Sequence, residues 1–343
     1  MPQAYGQDNE VLSDQIMNLI ALCGGSPDAD LIKEMIHTAL RTVQDRTQRG
    51  DLKIMNRALR ELRYAFKVFS AYRHRRKVSL FGSSRMKPHD PVYSQAERFA
   101  RAITREGFMV ITGAGEGIME AGHRGAGRQN SFGLNIKLPF EQEANEVIQQ
   151  DEKLIVFHYF FTRKLFFLKE ADALALFPGG FGTNDEAFES LTLMQTGKSD
   201  ILPIVLLDVP GGTYWQGWLD FVKREMLARE MISPEDLSLV TLTDDAKQAV
   251  RVITRFYRVY HSSRYVRDRL VLRLNRPLPE KDLRRLNREF EDILVSGRIE
   301  AGTALPEEAN EPEIFHLPRL VLHFDRKHFG RLRQLIDAIN ESG

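Results

Sequence analysis

The chain has 343 residues, 43% hydrophobic and 28% charged, a balance that excludes general disorder and suits two to three folded domains. Lys and Arg total 48 against 47 Asp and Glu, so no excess of positive charge is available for an extended nucleic-acid or membrane contact. The single cysteine, Cys23, excludes an intramolecular disulfide and a zinc cage of thiolates and fits a reducing compartment.

The opening residues, MPQAYGQDNE, lack the basic-then-apolar pattern of a signal peptide, and no run reaches the roughly 18 apolar residues of a spanning helix. A cytoplasmic protein is expected. From Glu10 to Arg76 the pattern is helical. Ser26-Pro27-Asp28 offers a cap for a helix that would bury Leu31, Met35, Ile36, Leu40 and Val43. After a break at Gly50-Asp51, Leu52, Met55, Leu59, Leu62, Phe66 and Phe69 recur at steps of three and four, a face that has to pack on something. The basic run Arg73-His74-Arg75-Arg76-Lys77 reads as a solvated connector.

At Lys77 short β-branched or aromatic runs begin to alternate with helical stretches, the rhythm of a parallel α/β sheet with helices on both faces. Strands are expected at Val78–Phe81, Phe108–Thr112, Gly133–Leu138, Leu154–His158, Ala173–Phe177, Ile204–Asp208 and Leu239–Leu242. Helices are expected at Pro91–Glu106, Thr183–Thr196, Trp215–Glu230 and Asp244–His261. After Ser262 the order strand, helix, strand, strand, helix suggests a small α+β module of ferredoxin-like type, with an acidic loop at Glu307–Pro312. The expected division is a helical region over 1–76, the parallel-sheet domain over 77–262 and the module over 263–343.

The densest chemical signal is the run from Phe177 to Glu186, FPGGFGTNDE, a strand that ends in a glycine turn and opens a helix. Amides at such a helix start are unpaired and the helix dipole adds positive charge, so a phosphate can be held there without any lysine. A second glycine turn, Thr112 to Met119, and a third, Phe81-Gly82-Ser83-Ser84, follow strands in the same way, and all three emerge at the carboxyl edge of a parallel sheet. Known fingerprints fit poorly. Gly113, Gly115 and Gly117 give G-x-G-x-G, which disfavours a nicotinamide or flavin cofactor, and Thr196-Gly197-Lys198-Ser199 lacks the first P-loop glycine because position 192 is Thr. Taken alone, Thr183-x-x-Glu186 reads as a capping box without chemistry.

Pro-Gly-Gly-x-Gly-Thr-x-x-Glu at Pro178–Glu186, with Arg163-Lys164 placed 23 residues before the glutamate, resembles the signature of the Lonely Guy (LOG) phosphoribohydrolases, a family once widely labelled lysine decarboxylase. The resemblance covers roughly Lys77 to His261. It implies a Rossmann-like domain, a homodimer or larger homo-oligomer, and hydrolysis of the N-glycosidic bond of a nucleoside 5′-monophosphate to free base and ribose 5-phosphate. It further implies that Arg163 and Glu186 are catalytic, with the phosphate on Gly179, Gly180, Gly182 and Thr183. Phe160-Phe161 and Phe166 stand where short plant-type members carry Met-His and a later Glu, which makes the chain more similar to longer bacterial members.

The chemistry is consistent with those roles. Glycosidic cleavage develops an oxocarbenium-like cation, which a fixed carboxylate stabilises. A unit charge about 4 Å away at an effective dielectric near 20 is worth about 4 kcal/mol, roughly a thousandfold in rate. A purine nucleotide such as AMP, GMP or an N6-modified AMP is the expected small-molecule partner, with no cofactor and no metal. Gly113, Gly115, Ser83 and Ser84 are assigned to nucleotide binding, and Glu116, Met119, Lys164 and His158 to a second tier. Asp185 and Glu189 read as dipole partners, His123 as a core histidine, and the aromatic cluster around Arg163 mainly as packing. The alternative from another class is a non-hydrolytic nucleotide sensor with the same fold. A lysine decarboxylase is not favoured, because Lys164 beside Arg163 is unpersuasive as a Schiff-base lysine.

Overall fold

The fold is seen in a computed structural model that describes residues 10–138 and 143–342. Residues 1–9, on which most of the signal-peptide reading rests, lie outside the described residues. Compact packing divides the chain into a unit that ends at Leu62 and a unit that begins at Arg63. No helix among the described residues is long and apolar enough to cross a membrane.

The first unit consists of α1 (Glu10–Leu22), α2 (Ala29–Gln44) and the larger part of α3 (Arg49–Ser70). Asp28 is the residue before α2, and its amide donates to Ser26 Oγ (3.1 Å). The helix forms as expected but buries no residue: Leu31, Met35, Leu40 and Val43 stay 42–76% exposed. Gly50 and Asp51 lie inside the first turn of α3; the break falls before it, where Arg46 takes φ 51°. Leu52, Met55 and Leu59 remain exposed and border, with Leu31 and Met35, an open groove of about 760 Å³. A unit this small has too little chain to cover both faces of its helices.

The second unit carries the parallel sheet: β1 (Lys77–Phe81), β2 (Met109–Thr112), β3 (Ser131–Ile136), β4 (Leu154–Phe157), β5 (Ala173–Leu176), β6 (Ile204–Leu207) and β7 (Val240–Thr243), in the order β4-β3-β2-β1-β5-β6-β7. Between them run α4 (Pro91–Arg105), α5 (Ile118–Ala126), α6 (Phe160–Lys169), α7 (Phe181–Gln195), α8 (Tyr214–Phe221) and α9 (Ala246–Phe256). Alternation on β1 sends Val78 and Leu80 into the core under α4, α5 and α9. On the opposite face Ser79 Oγ donates to the Phe167 carbonyl (2.7 Å) and Phe81 packs on the Phe167 ring, so α6 covers that side. From α3, Phe69 stacks on Phe132 and on Phe166 of α6, which partners the end of the α3 stripe. Winding reverses between β1 and β5, the switch point where ligands of open α/β sheets bind.

Two helices differ from expectation. The one expected at Trp215–Glu230 is α-helical only to Phe221 and continues as a π-helix over Val222–Leu227. The one expected at Asp244–His261 ends at Phe256, because the amides of Val259 and Tyr260 donate to the side-chain oxygen of Asn340 (2.8 and 3.0 Å) in place of a helical carbonyl. An unexpected strand, β8 (Tyr260–Val266), follows. With β9 (Arg269–Leu274), α10 (Glu280–Glu289), β10 (Leu294–Gly302), β11 (Arg319–Phe324) and α11 (Phe329–Glu341) it forms an antiparallel sheet in the order β10-β11-β9-β8. The β9-α10-β10 unit is split by β11, as in a ferredoxin-like fold. The fourth strand position is filled from the N-terminal side by β8.

The basic run at Arg73–Lys77 is solvated at Arg73, His74 and Arg75, as expected, but its end is drawn into the fold at Arg76 and Lys77. Arg75 donates to Asn130 Oδ1 (2.9 Å). Arg76 pairs with Asp172 (3.2 Å) and lies 3.5 Å over the Tyr257 ring. Arg73 and His74 face Glu313 in the loop between β10 and β11. That loop is anchored by Glu308, fully buried between Arg273 and Arg319 (2.8 and 3.2 Å).

Candidate active site

The three glycine turns interlock. The Ser83 amide donates to the Pro178 carbonyl (3.1 Å), and the Ser83 carbonyl accepts from the Ile118 amide (3.1 Å), which places the β1 turn between the other two. They enclose a cleft of about 790 Å³, a size typical of small-molecule sites. Its wall includes Ser83, Ser84, Gly113, Met119, Arg163, Gly179, Gly180, Gly182, Thr183 and Glu186. A side chain on Gly113 would collide with Met119 Sδ and the Arg163 guanidinium, and one on Gly179 would collide with Thr183 and the Ser83 amide. Gly179 therefore demands the smallest residue, because the Ser83 backbone cannot give way, whereas at Gly113 the colliding atoms are the ends of side chains.

The helix of the Pro-Gly-Gly run starts two residues earlier than expected. Gly180 precedes α7, no side chain caps it, and Thr183 is its third residue. This rules out the capping-box reading of Thr183 and Glu186. The first helical bond runs from the Asn184 amide to the Gly180 carbonyl (3.2 Å), so the amides of Phe181, Gly182 and Thr183 have no acceptor within the helix. Turn carbonyls are drawn off by side chains: Tyr214 donates to Gly179 O (2.6 Å), and Asn184 Nδ2 donates to Gly180 O (3.1 Å) and the Tyr214 hydroxyl (2.8 Å). The result is a polar floor rich in unpaired N–H groups at the positive end of a helix, a receptor for an anion.

Arg163 and Glu186 reach this cleft from α6 and α7. Arg163 Nε donates to the Leu134 carbonyl (2.8 Å), and its guanidinium lies 5.1 Å from the Phe167 ring centre. Burial lowers its pKa to about 10 against the pull of Glu186, which leaves it cationic at neutral pH. Glu186 is only 8% exposed, and its Oε2 is buried without a hydrogen-bond partner. Burial raises its carboxyl to about 7, with Lys164 opposing that rise, Glu189 and Asp185 adding to it, and Arg163 opposing it last.

Four assigned residues fall outside the cleft wall. Gly115 turns its carbonyl to Asn145 Nδ2 (2.9 Å). Glu116 is an exposed residue 3.5 Å from Lys87 Nζ, and His158 is half-buried away from the wall. Lys164 turns to α7, where it pairs with Asp185 (2.8 Å) and Glu189 (2.5 Å). His123 is fully buried beneath the second turn, with Nε2 3.0 Å from Thr112 Oγ1 and Nδ1 3.2 Å from Asn145 Oδ1; burial lowers its pKa. Tyr214 and Asn145 lie far from the glycine turns they serve and carry no spacing signal, and Asn184 occupies an unspecified position of the Thr183-x-x-Glu186 run. Arg85, Phe160 and Phe181 also line the cleft, and the first of these follows directly on the Gly-Ser-Ser turn. Among the described residues no cluster of His, Cys, Asp or Glu has the makings of a metal site.

Residues 114–253 match the family model described as "Possible lysine decarboxylase". A cytokinin riboside 5′-monophosphate phosphoribohydrolase of Mycobacterium tuberculosis is 27% identical over 169 residues, 48% of this chain and 86% of that protein. The Arabidopsis thaliana protein of the same name, LOG3, is 32% identical over 94 residues, 27% of this chain and 42% of that protein, so the match spans less than half of the plant relative. Among solved structures, a molybdenum cofactor carrier protein of Chlamydomonas reinhardtii is 18% identical and aligns over 53% of this chain and 97% of its own with a TM-score of 0.37. By the family-model match and these relatives, the parallel-sheet domain of this chain resembles the Lonely Guy (LOG) family.

Proposed function

We propose that the protein hydrolyses the N-glycosidic bond of a nucleoside 5′-monophosphate of purine type, releasing free base and ribose 5-phosphate. The observation that carries this reading is the Glu186 carboxyl, buried without a partner beside an amide-lined helix start. The 5′-phosphate sits on the free amides of Phe181, Gly182 and Thr183, with Ser83 and Ser84 at its side. Glu186 lies one helical turn further along, about 5 Å, a distance on the scale of the ribose between its phosphate and its anomeric carbon. Arg163, fixed at Nε, presents its remaining donors to ribose or phosphate oxygens.

As the bond to the base breaks, Glu186 stabilises the ribosyl cation and takes a proton from the water that adds to C1′; the departing base nitrogen is protonated in turn. A carboxyl that titrates near 7 suits both duties at neutral pH. The family's named phosphoribohydrolases in Mycobacterium tuberculosis and Arabidopsis thaliana support the reaction class. The exposed apolar side chains of Val156, Phe160, Phe161 and Leu165 support the further reading that the protein works as a homo-oligomer, which sedimentation of the full chain tests.

The test of the reaction is incubation of the purified chain with AMP, GMP and an N6-modified AMP, with chromatography of the products. Free base and ribose 5-phosphate are expected, with loss of roughly a hundredfold or more in rate for Glu186→Gln. Tight binding of a monophosphate whose glycosidic bond stays intact would instead establish a nucleotide sensor.

A further inference from the structure

Arg163 and Lys164 are adjacent in sequence yet serve different neighbours. Arg163 turns into the cleft, whereas the Lys164 ammonium is held between Asp185 Oδ2 (2.8 Å) and Glu189 Oε2 (2.5 Å) on α7. Asp185 and Glu189 are four residues apart and so share one face of the helix, with Glu186 on the adjoining face. One cation from α6 thus spans the turn of α7 that carries the cleft carboxyl. We propose that Lys164 is a positioning residue, which ties the helix of Arg163 to the helix of Glu186 and neutralises the two carboxylates that flank Glu186.

This inference rests on the glycosidase reading for its kinetic consequence and on geometry for its structural one. Three carboxylates within a turn and a quarter of helix repel one another, and each makes the ionised form of the others less favourable. The charged groups that face Glu186 are Arg163 and Lys164 from α6 and Asp185 and Glu189 from its own helix, and the Lys164 charge is the strongest of the influences that favour its ionised form. Lys164 is itself held more firmly protonated: burial pulls its pKa down, but the hydrogen bonds to Asp185 and Glu189 outweigh that. Only 17% of its side chain is exposed, so solvent and salt screen the arrangement less than they would a surface pair.

Two variants with opposite expected signs separate this role from a plain packing contact. Lys164→Met leaves Asp185 and Glu189 uncompensated and is expected to raise the titration midpoint of Glu186 by about one pH unit or more. Asp185→Asn combined with Glu189→Gln keeps the Lys164 charge and is expected to lower it. A staple that merely held two helices together would move both variants in the same direction or move neither.

The midpoint is read directly from the carboxyl ¹³C shift of Glu186 in the full chain, assigned by its disappearance in Glu186→Gln. It is read a second time from the acid limb of the kcat/KM profile. Lys164→Met is then expected to lose about fivefold or more in rate at pH 7 and to recover most of it near pH 8.5, with KM nearly unchanged, while Lys164→Arg keeps the wild-type profile. An unchanged midpoint in both variants, or a shift of the same sign in both, overturns the assignment. The carbon shift judges Lys164 even if the wild type turns over no monophosphate, an outcome that would sink the glycosidase reading alone.

Discussion

The Nε of Arg163 is tethered to the carbonyl of Leu134, 2.8 Å away on β3, so the guanidinium enters the cleft already oriented by the sheet. A lysine has the charge, but its donors all sit on one nitrogen, so it lacks the separate arms with which Arg163 keeps this tether at Nε and reaches a substrate with the terminal nitrogens. Arg163→Lys is therefore expected to cost about a hundredfold in kcat/KM toward a nucleoside monophosphate, with thermal stability close to wild type. A variant that keeps wild-type turnover would remove Arg163 from the chemistry.

Glu186 also has a signature in stability. Its carboxyl titrates near 7 in the fold against an ordinary value of 4.5. A raised carboxyl favours the folded state fully below about 4.5, and that contribution is lost as pH rises through 7. Glu186→Gln, which never ionises, should match the wild type at pH 4 and become more stable than it as pH rises, by at most roughly 3 kcal/mol above pH 7.5. Urea unfolding at several pH values reads the gap; a constant difference across pH would mean that the carboxyl is not desolvated.

The same titration governs the rate. The scheme requires ionised Glu186, so kcat/KM is expected to climb with an apparent pKa near 7 and to level off above pH 8, while Arg163 stays charged up to about 10. A profile that is flat from pH 5.5 to 8.5 would assign the base to another group.

The glycines of the floor divide by what surrounds them. A methyl on Gly179 would press on Thr183 and the Ser83 amide, whereas one on Gly182 meets nothing within 4 Å. Gly179→Ala is expected to weaken AMP binding at least tenfold by calorimetry, and Gly182→Ala to change it less than threefold. Reversal of that order would place the phosphate elsewhere.

In the small antiparallel module, Glu308 is fully buried, bonded to Arg273, Arg319 and the Leu305 amide. Glu308→Ala leaves the buried Arg319 with only the Leu317 and Ile314 carbonyls, while Arg273 keeps Glu311, and a loss of about 3 kcal/mol is expected. Differential scanning calorimetry should find a lower Tm, with the pH profile of activity unmoved.

The parallel sheet was legible because its information is local. Each strand is a short apolar run closed by a glycine turn, and the nine residues from Pro178 to Glu186 carry their chemistry in fixed spacing. What the sequence withheld depends on distant partners. Asn340 ends α9 from more than 80 residues away, so the helical periodicity up to His261 gave no hint that Tyr260 begins a strand. The basic run at Arg73–Lys77 looks solvated along its whole length until Asp172 and Tyr257 are brought to Arg76. Tyr214 and Asn184, which hold the carbonyls of the floor, are ordinary residues in isolation. The start of α7 was misplaced by two residues because Thr-x-x-Glu mimics a cap, when glycine at 180 suffices.

Because β8 emerges directly from α9 yet forms the outer edge of the smaller sheet, the polypeptide has no clean point of excision between its two sheets. A fragment that begins at residue 263 would split this strand, remove its pairs of Tyr260 with Leu274 and Ser262 with Arg273, and leave that end of β9 open to other molecules. Engineering the C-terminal portion as a stand-alone piece, or removing it to probe turnover, calls for a cut near Tyr257, where the helix has already ended.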